Sequence, residues 1–181
     1  MSSSEKQQVA LFSMLASRLG SFDGLRVADL FAGSGALGFE AASRGAASVE
    51  MIERDARVAA ALAATARRLQ AANVRVHAAD ALDWLARNPA ARFDVAFVDP
   101  PFAAGLLDRS LAALDPHLTA DARVYGECGR ATEPLLPPDW ERLREGGTRE
   151  VRFALYRRPE RAGEATAPAT LAPDSAARDR S

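Results

Sequence analysis

One stretch constrains what this chain can fold into: Asp29-Leu-Phe-Ala-Gly-Ser-Gly-Ala-Leu-Gly38. An apolar run at 25–28 leads into it, and an amphipathic pattern ending at Gly45 leads out. Strand, tight glycine turn and helix in that order make the opening unit of a nucleotide-binding α/β domain. Gly33, Gly35 and Gly38 spell G-x-G-x-x-G, the spacing that brings a pyrophosphate onto bare backbone N–H groups at a helix N-terminus. Asp29, however, ends the strand at the edge of that loop, where a carboxylate repels phosphate. The same carboxylate suits a cation, such as the ammonium or sulfonium of S-adenosylmethionine. The turn therefore favours S-adenosylmethionine over NAD, and Phe31, Ala32 and Ser34 complete the loop expected to touch it.

The rest of the chain extends that unit. Helix-period segments at 5–19 (capped by Ser4, with Val9, Phe12 and Leu15 as its apolar stripe), 36–44, 56–70 (capped by Asp55, with Val58, Leu62 and Leu69), 81–88 and 104–114 alternate with apolar runs. Those runs, at 25–29, 48–53, 74–78, 93–99 and 122–128, read as strands, and 93–99 is apolar enough to be buried on both faces. Such alternation with short loops predicts a mostly parallel sheet covered by helices on both sides. Segments 140–145 and 148–157, joined through Gly146-Gly147, predict an antiparallel hairpin that closes the sheet at seven strands. With 181 residues, one domain over 1–158 is expected. Beyond Arg158 the composition predicts a disordered tail, 159–181.

Composition excludes several function classes. No uninterrupted apolar run approaches the ~20 residues that cross a bilayer. The single cysteine, Cys128, makes neither an internal disulfide nor a zinc constellation, and a reducing cytoplasm is the simple expectation. Basic and acidic side chains, 23 and 24, nearly cancel, so any nucleic-acid footprint must be local. His77 and His117 lack metal-ligand spacing, and Trp84 and Trp140 read as packing residues. The arginines at 67, 68, 142, 144, 149, 152, 157 and 158 read as a solvated face before an RNA path.

Acidic residues fall at or just past the carboxyl ends of the first four strands, the edge where open α/β sheets bind ligands: Asp29, Glu53, Asp80 and Asp99. Glu53 can accept both hydroxyls of a ribose. Asp80 can accept from an adenine amine beside Ala81, or simply cap the next helix. Asp99-Pro100-Pro101-Phe102 narrows the chemistry. Prolines have no N–H to donate, so a carboxylate and a rigid carbonyl stand together as two acceptors for the hydrogens of an –NH2 group. Holding those hydrogens turns the nitrogen lone pair toward an electrophilic methyl. Phe102 offers a face for a planar base.

Together the glycine turn and the Asp-Pro-Pro-Phe loop resemble the class I, Rossmann-like S-adenosylmethionine-dependent amino methyltransferases. Within them the sequence is similar to the bacterial 16S ribosomal RNA (guanine(966)-N2)-methyltransferase family. That similarity extends through Phe97-Val-Asp-Pro-Pro-Phe-Ala-Ala-Gly-Leu-Leu107, the Trp140 region and Phe153-Ala-Leu-Tyr156. The resemblance implies methyl transfer to the N2 amine of a guanine, with 16S RNA or the assembling 30S subunit as partner, no metal and a monomer. The same loop serves adenine-N6 and glutamine-amide methyltransferases, and a non-catalytic RNA-binding or assembly protein is the reading from another class. Gln7-Gln8 stand where the family has the end of a basic N-terminal hairpin, which implies weak, weakly salt-dependent binding to free RNA.

Overall fold

In the computed structural model, which describes residues 2–103 and 105–164, five parallel strands alternate with helices before the chain doubles back on itself. The elements are α1 (Ser3–Leu19), β1 (Arg26–Asp29), α2 (Ala36–Ser43), β2 (Ser48–Glu53), α3 (Ala56–Arg68) and β3 (Val74–Ala78). They continue with α4 (Ala81–Arg87), β4 (Phe93–Val98), α5 (Leu106–Leu114), β5 (Leu118–Gly129), β6 (Glu141–Gly147) and β7 (Val151–Arg158). Among the described residues the strands form one seven-stranded sheet in the order β3-β2-β1-β4-β5-β7-β6, with β7 antiparallel to both neighbours.

Alternation along the central strands sorts the core into two layers. Val27, Val95, Phe97, Tyr125 and Leu155 face α1, α2 and α3, where Phe12, Ala41 and Leu62 cover them. Ala28, Ala96, Val98, Val124 and Tyr156 face the other way, under Trp84 and Leu85 of α4 and Leu107, Leu111 and Leu114 of α5. Burial of the central strands on both faces explains why they lack polar alternation. No described helix is long and apolar enough to cross a membrane.

Several sequence expectations are corrected in detail. Ser2, not Ser4, caps α1, because Ser2 and Glu5 have the spacing of a reciprocal capping box: Glu5 N–H donates to Ser2 Oγ at 3.2 Å and Ser2 N–H to Glu5 Oε2 at 2.5 Å. Helix α1 packs through Leu11, Phe12 and Leu15, which leaves Val9, roughly a third of a turn away, exposed. Leu69 is likewise exposed, since it is the C-cap of α3 and lies past the last packed turn. Strand β5 begins at Leu118 rather than at 122, because an irregularity opposite Phe93–Val95, with Asp121 at positive φ, lets the pairing resume.

The hairpin does not turn on its glycines. Thr148 starts the turn: its N–H donates to Val151 O at 2.8 Å, and its Oγ1 accepts from Val151 N–H at 3.1 Å. Gly146 and Gly147 end β6, and Gly146 clears space for the paired Phe153 ring, which a Cβ there would meet at 2.6 Å. Part of the expected tail is engaged: Arg161 donates to both carboxylate oxygens of Asp115 at 2.9 and 3.0 Å, and Arg158 pairs with Glu164. The remainder of that tail, 165–181, lies outside the described residues.

The glycine turn is tightly packed. Gly35 holds φ +79° as the N-cap of α2, and a Cβ there would lie 2.6 Å from both Leu62 Cδ2 and the Phe39 ring. A left-handed non-glycine residue costs about 1–2 kcal/mol before any clash. Gly35→Ala should therefore lower the thermal midpoint by several degrees, read by calorimetry. An unchanged midpoint would mean that the turn is slack.

Candidate active site

The carboxyl ends of β1, β2, β3 and β4 open onto a cavity of about 1030 Å³. It gathers Phe31, Gly33, Glu53, Asp80, Ala81 and the loop Asp99-Pro100-Pro101-Phe102 from four separate strand–helix junctions. Arg54 and Arg109 stand at its wall. A smaller space of about 230 Å³ lies on the α1 side, lined by Asp29, Ala32, Ser34 and Asp99 together with Gln7 and Glu127. A third, of about 410 Å³, runs past Pro101 and Phe102 to Glu127, Cys128 and Thr132. Asp99 and Phe31 border both the first and the second space, and Pro101, Phe102 and Glu127 border the third.

Glu53 is fixed by the loop it serves. Its Oε2 accepts from Gly33 N–H at 3.0 Å and its Oε1 from Asp55 N–H at 2.8 Å. Each carboxylate oxygen has a second lone pair, so both can still receive a hydroxyl from the cavity. Asp80 caps α4 through Oδ1 alone, which accepts from Leu82 N–H at 2.9 Å and Asp83 N–H at 3.2 Å. Its two readings are therefore compatible: Oδ1 caps the helix, and Oδ2 is left for a ligand amine. Ala81 is buried beside it.

Asp29 is buried and accepts from Gly38 N–H at 3.1 Å. Burial pushes its carboxyl up to about 7, the Gly38 N–H pulls it back, and Glu53 adds a further upward push. Gly35 and Gly38 border neither of the first two spaces, so their part is backbone geometry. A Cβ at Gly38 would come 2.5 Å from Met51 Cε and 3.2 Å from Asp29 Oδ2, so the missing side chain is what lets α2 approach that carboxyl.

Asp99 is exposed toward the spaces it borders, with protein crowding the rest of its carboxyl. Burial, then the Glu127 carboxyl beside it, then Asp29, drive it up to about 8. Pro100 is buried, and Pro101 and Phe102 are exposed, with the Phe102 ring 66 % open.

Sequence reasoning missed a polar cluster next to this loop. Tyr125 OH donates to Glu127 Oε1 at 2.8 Å, and Gln7 Nε2 donates both to that oxygen and to Tyr125 OH, the latter at 2.6 Å. Burial and Glu127 push the Tyr125 phenol far above its ordinary value, so it stays a donor. The signal that could have found it is Tyr-x-Glu at the end of the fifth strand, where residues two apart share one face. Of the other residues singled out, Arg67, Arg68, Arg144 and Arg149 are exposed, and most of the rest make structural contacts. His77 Nε2 meets Glu50 at 2.6 Å, buried His117 meets Ala91 O, and Trp140 donates its indole N–H to Asp115 at 2.7 Å. Hairpin arginines 142, 152 and 157 are paired with carboxylates, and Arg158 is buried. Among the described residues no group of three His, Cys, Asp or Glu is placed to hold a metal.

Acidic side chains outnumber basic ones along the cavity wall, Glu53, Asp55, Asp80, Asp83 and Asp99 against Arg54 and Arg109, and Asp29 stands in the adjoining space, so the site favours a cationic ligand. Asp29→Asn should weaken S-adenosylmethionine binding about 10- to 100-fold, the loss of one charge-assisted hydrogen bond. The same change should stabilise the ligand-free protein. A carboxyl raised on folding contributes most below about pH 4 and loses that contribution as pH climbs through 7. The Asn variant should thus melt above the native protein at pH 8, with the gap closing toward pH 4. Equal melting at both pH values would show that Asp29 is not held against its charge.

A family model described as Conserved hypothetical protein 95 matches residues 3–157. The chain is 39% identical over 142 residues to Ribosomal RNA small subunit methyltransferase D of Escherichia coli (strain K12), spanning 77% of this chain and 71% of that one. Among solved structures, yhhF of Escherichia coli superposes with a TM-score of 0.81 at 34% identity, covering 89% of this chain and 90% of the other. HI0767 of Haemophilus influenzae gives 0.77 at 32% identity, over 86% and 98%.

Proposed function

The chain belongs to the family described as Conserved hypothetical protein 95, and from that premise we propose that it methylates the exocyclic N2 amine of a guanine in small-subunit ribosomal RNA. The observation that carries this reading is the Asp99-Pro100-Pro101-Phe102 loop standing where the large cavity meets the two smaller ones. The first space is large enough for a nucleoside cofactor, whose ribose hydroxyls Glu53 would hold and whose adenine amine Asp80 would accept beside Ala81, while Asp29, Ala32 and Ser34 of the adjoining space would face its amino-acid end. S-adenosylmethionine, when bound, supplies an electrophilic methyl on a positively charged sulfur.

The chain's own residues do the rest. Asp99 and the carbonyl of the proline loop hold the two hydrogens of the target amine, which aims its lone pair. As the amine takes up the methyl group that the cofactor would supply, it must give up one proton, which passes to water in the open site. Asp99 is a full acceptor only when ionised: burial and Glu127 favour its protonated form in the ligand-free site, and a cation bound beside it would favour the ionised one. Phe102 stacks on the extruded base, a contact worth about 1–3 kcal/mol. Recognition by shape within an assembling subunit, in the bacterial cytoplasm and as a monomer, completes the reading, since the hairpin arginines are largely engaged with carboxylates.

The direct test is transfer of labelled methyl to 30S particles from a strain lacking the gene, followed by nucleoside analysis. N2-methylguanosine is the expected product; label on adenosine, or none, would contradict the proposal. Asp99→Ala should lower turnover at least 100-fold with cofactor affinity within a few fold, and Asp99→Asn should be milder because its amide oxygen still accepts. Near-normal turnover in the alanine variant would remove Asp99 from the chemistry.

A further inference from the structure

Glu127 is unaccounted for by the chemistry above, and its position is set by register. Strands β4 and β5 pair Phe97 with Tyr125 and Val98 with Gly126, so the next step along both strands brings Asp99 beside Glu127. The two residues share the side of the sheet that carries Phe97 and Tyr125, toward α1. Glu127 borders both smaller spaces, including the one past the exposed Phe102 ring. Its Oε1 is taken by two donors, Tyr125 OH and Gln7 Nε2, one from its own strand and one from α1. Any partner entering from the cavity therefore falls to Oε2.

Two neighbouring carboxyls resist being ionised together unless a ligand brings donors to both. The Watson–Crick edge of guanine does so: N1–H and the N2 amine are adjacent donors. Adenine does not, because ring acceptors flank its N6 amine and would face the second carboxylate. We propose that Glu127 selects guanine, its Oε2 accepting the N1–H while Asp99 accepts from the N2 amine. This rests on the guanine-N2 reading and adds the residue that enforces it. It explains why a loop able to grip any planar –NH2 is paired here with a second acid. The anchoring of Oε1 matters equally: it leaves Glu127 one oxygen to present, in one orientation.

The anchor also makes the role testable. In Glu127→Gln the amide oxygen must face the Gln7 donor, so the amide –NH2 takes the place of Oε2 and presents a donor to the base. Small subunits reconstituted with guanine or 2-aminopurine at the target position, the latter introduced by ligating a synthetic RNA segment, separate the outcomes. 2-Aminopurine keeps the N2 amine but carries an acceptor at N1. The native enzyme should prefer guanine at least 100-fold in kcat/KM, since a site built around a donor rejects an analogue lacking it. Glu127→Gln should cut that ratio at least tenfold, mostly through a loss on guanine. A merely structural Glu127 would slow both substrates alike, and an unchanged ratio would overturn the proposal whatever the folded fraction. A native enzyme that leaves the guanine unmethylated would instead overturn the underlying reading, and this inference with it.

Discussion

Three carboxyls from neighbouring strands, Asp29 on β1, Asp99 after β4 and Glu127 on β5, share one side of the carboxyl edge of the sheet, and the site depends on their proximity. Parallel pairing forces it: the strands end at nearly the same level, and side chains two residues apart return to the same face. Ligand-free, the arrangement is unfavourable, and Asp29 and Asp99 answer by holding protons far above the ordinary carboxylate range. A ligand with a sulfonium, an ammonium and a donor-rich base removes that penalty. On the proposed reading, binding specificity comes from an electrostatic deficit that the fold maintains.

The surrounding structure reads as support for this cluster. Gly38 lets α2 come close enough for its N–H to reach Asp29. Gly33 donates to Glu53, tying the glycine turn to the carboxylate proposed to hold the ribose. Helix α1 contributes more than cover, because Gln7 reaches the end of β5 and orients Glu127. The prolines leave Asp99 without competing backbone donors in its own loop. Each contact is modest; together they hold acidic groups where water would otherwise disperse them.

Much of this was legible in the sequence because it is local. Strands at 48–53 and 74–78, the Asp55 and Asp80 caps, and the acidic strand ends follow from periodicity and from single residues with a clear preference. What escaped was what tertiary pairing decides. Glu127 looked like one more residue of a buried strand, and its nearness to Asp99 follows from a register that no stretch of sequence states. Gln7 likewise meets Tyr125 across 118 residues. Gly146-Gly147 carried a turn signal, but Thr148 starts the turn and Gly146 is needed for the Phe153 ring. Val9 misled because its spacing from Phe12 is helical, while the packed stripe runs through Leu11, Phe12 and Leu15.

Asp29 and Asp99 hold protons in the ligand-free protein that a cationic cofactor is expected to expel. Calorimetric titration with S-adenosylmethionine near pH 7, repeated in buffers of different ionisation enthalpy, counts those protons directly. A positive charge entering the cluster favours the ionised carboxylates, so net proton release is expected, shrinking toward zero well above pH 8 where both raised groups are already ionised. Binding at pH 7 with no proton release, or with uptake, would contradict the account.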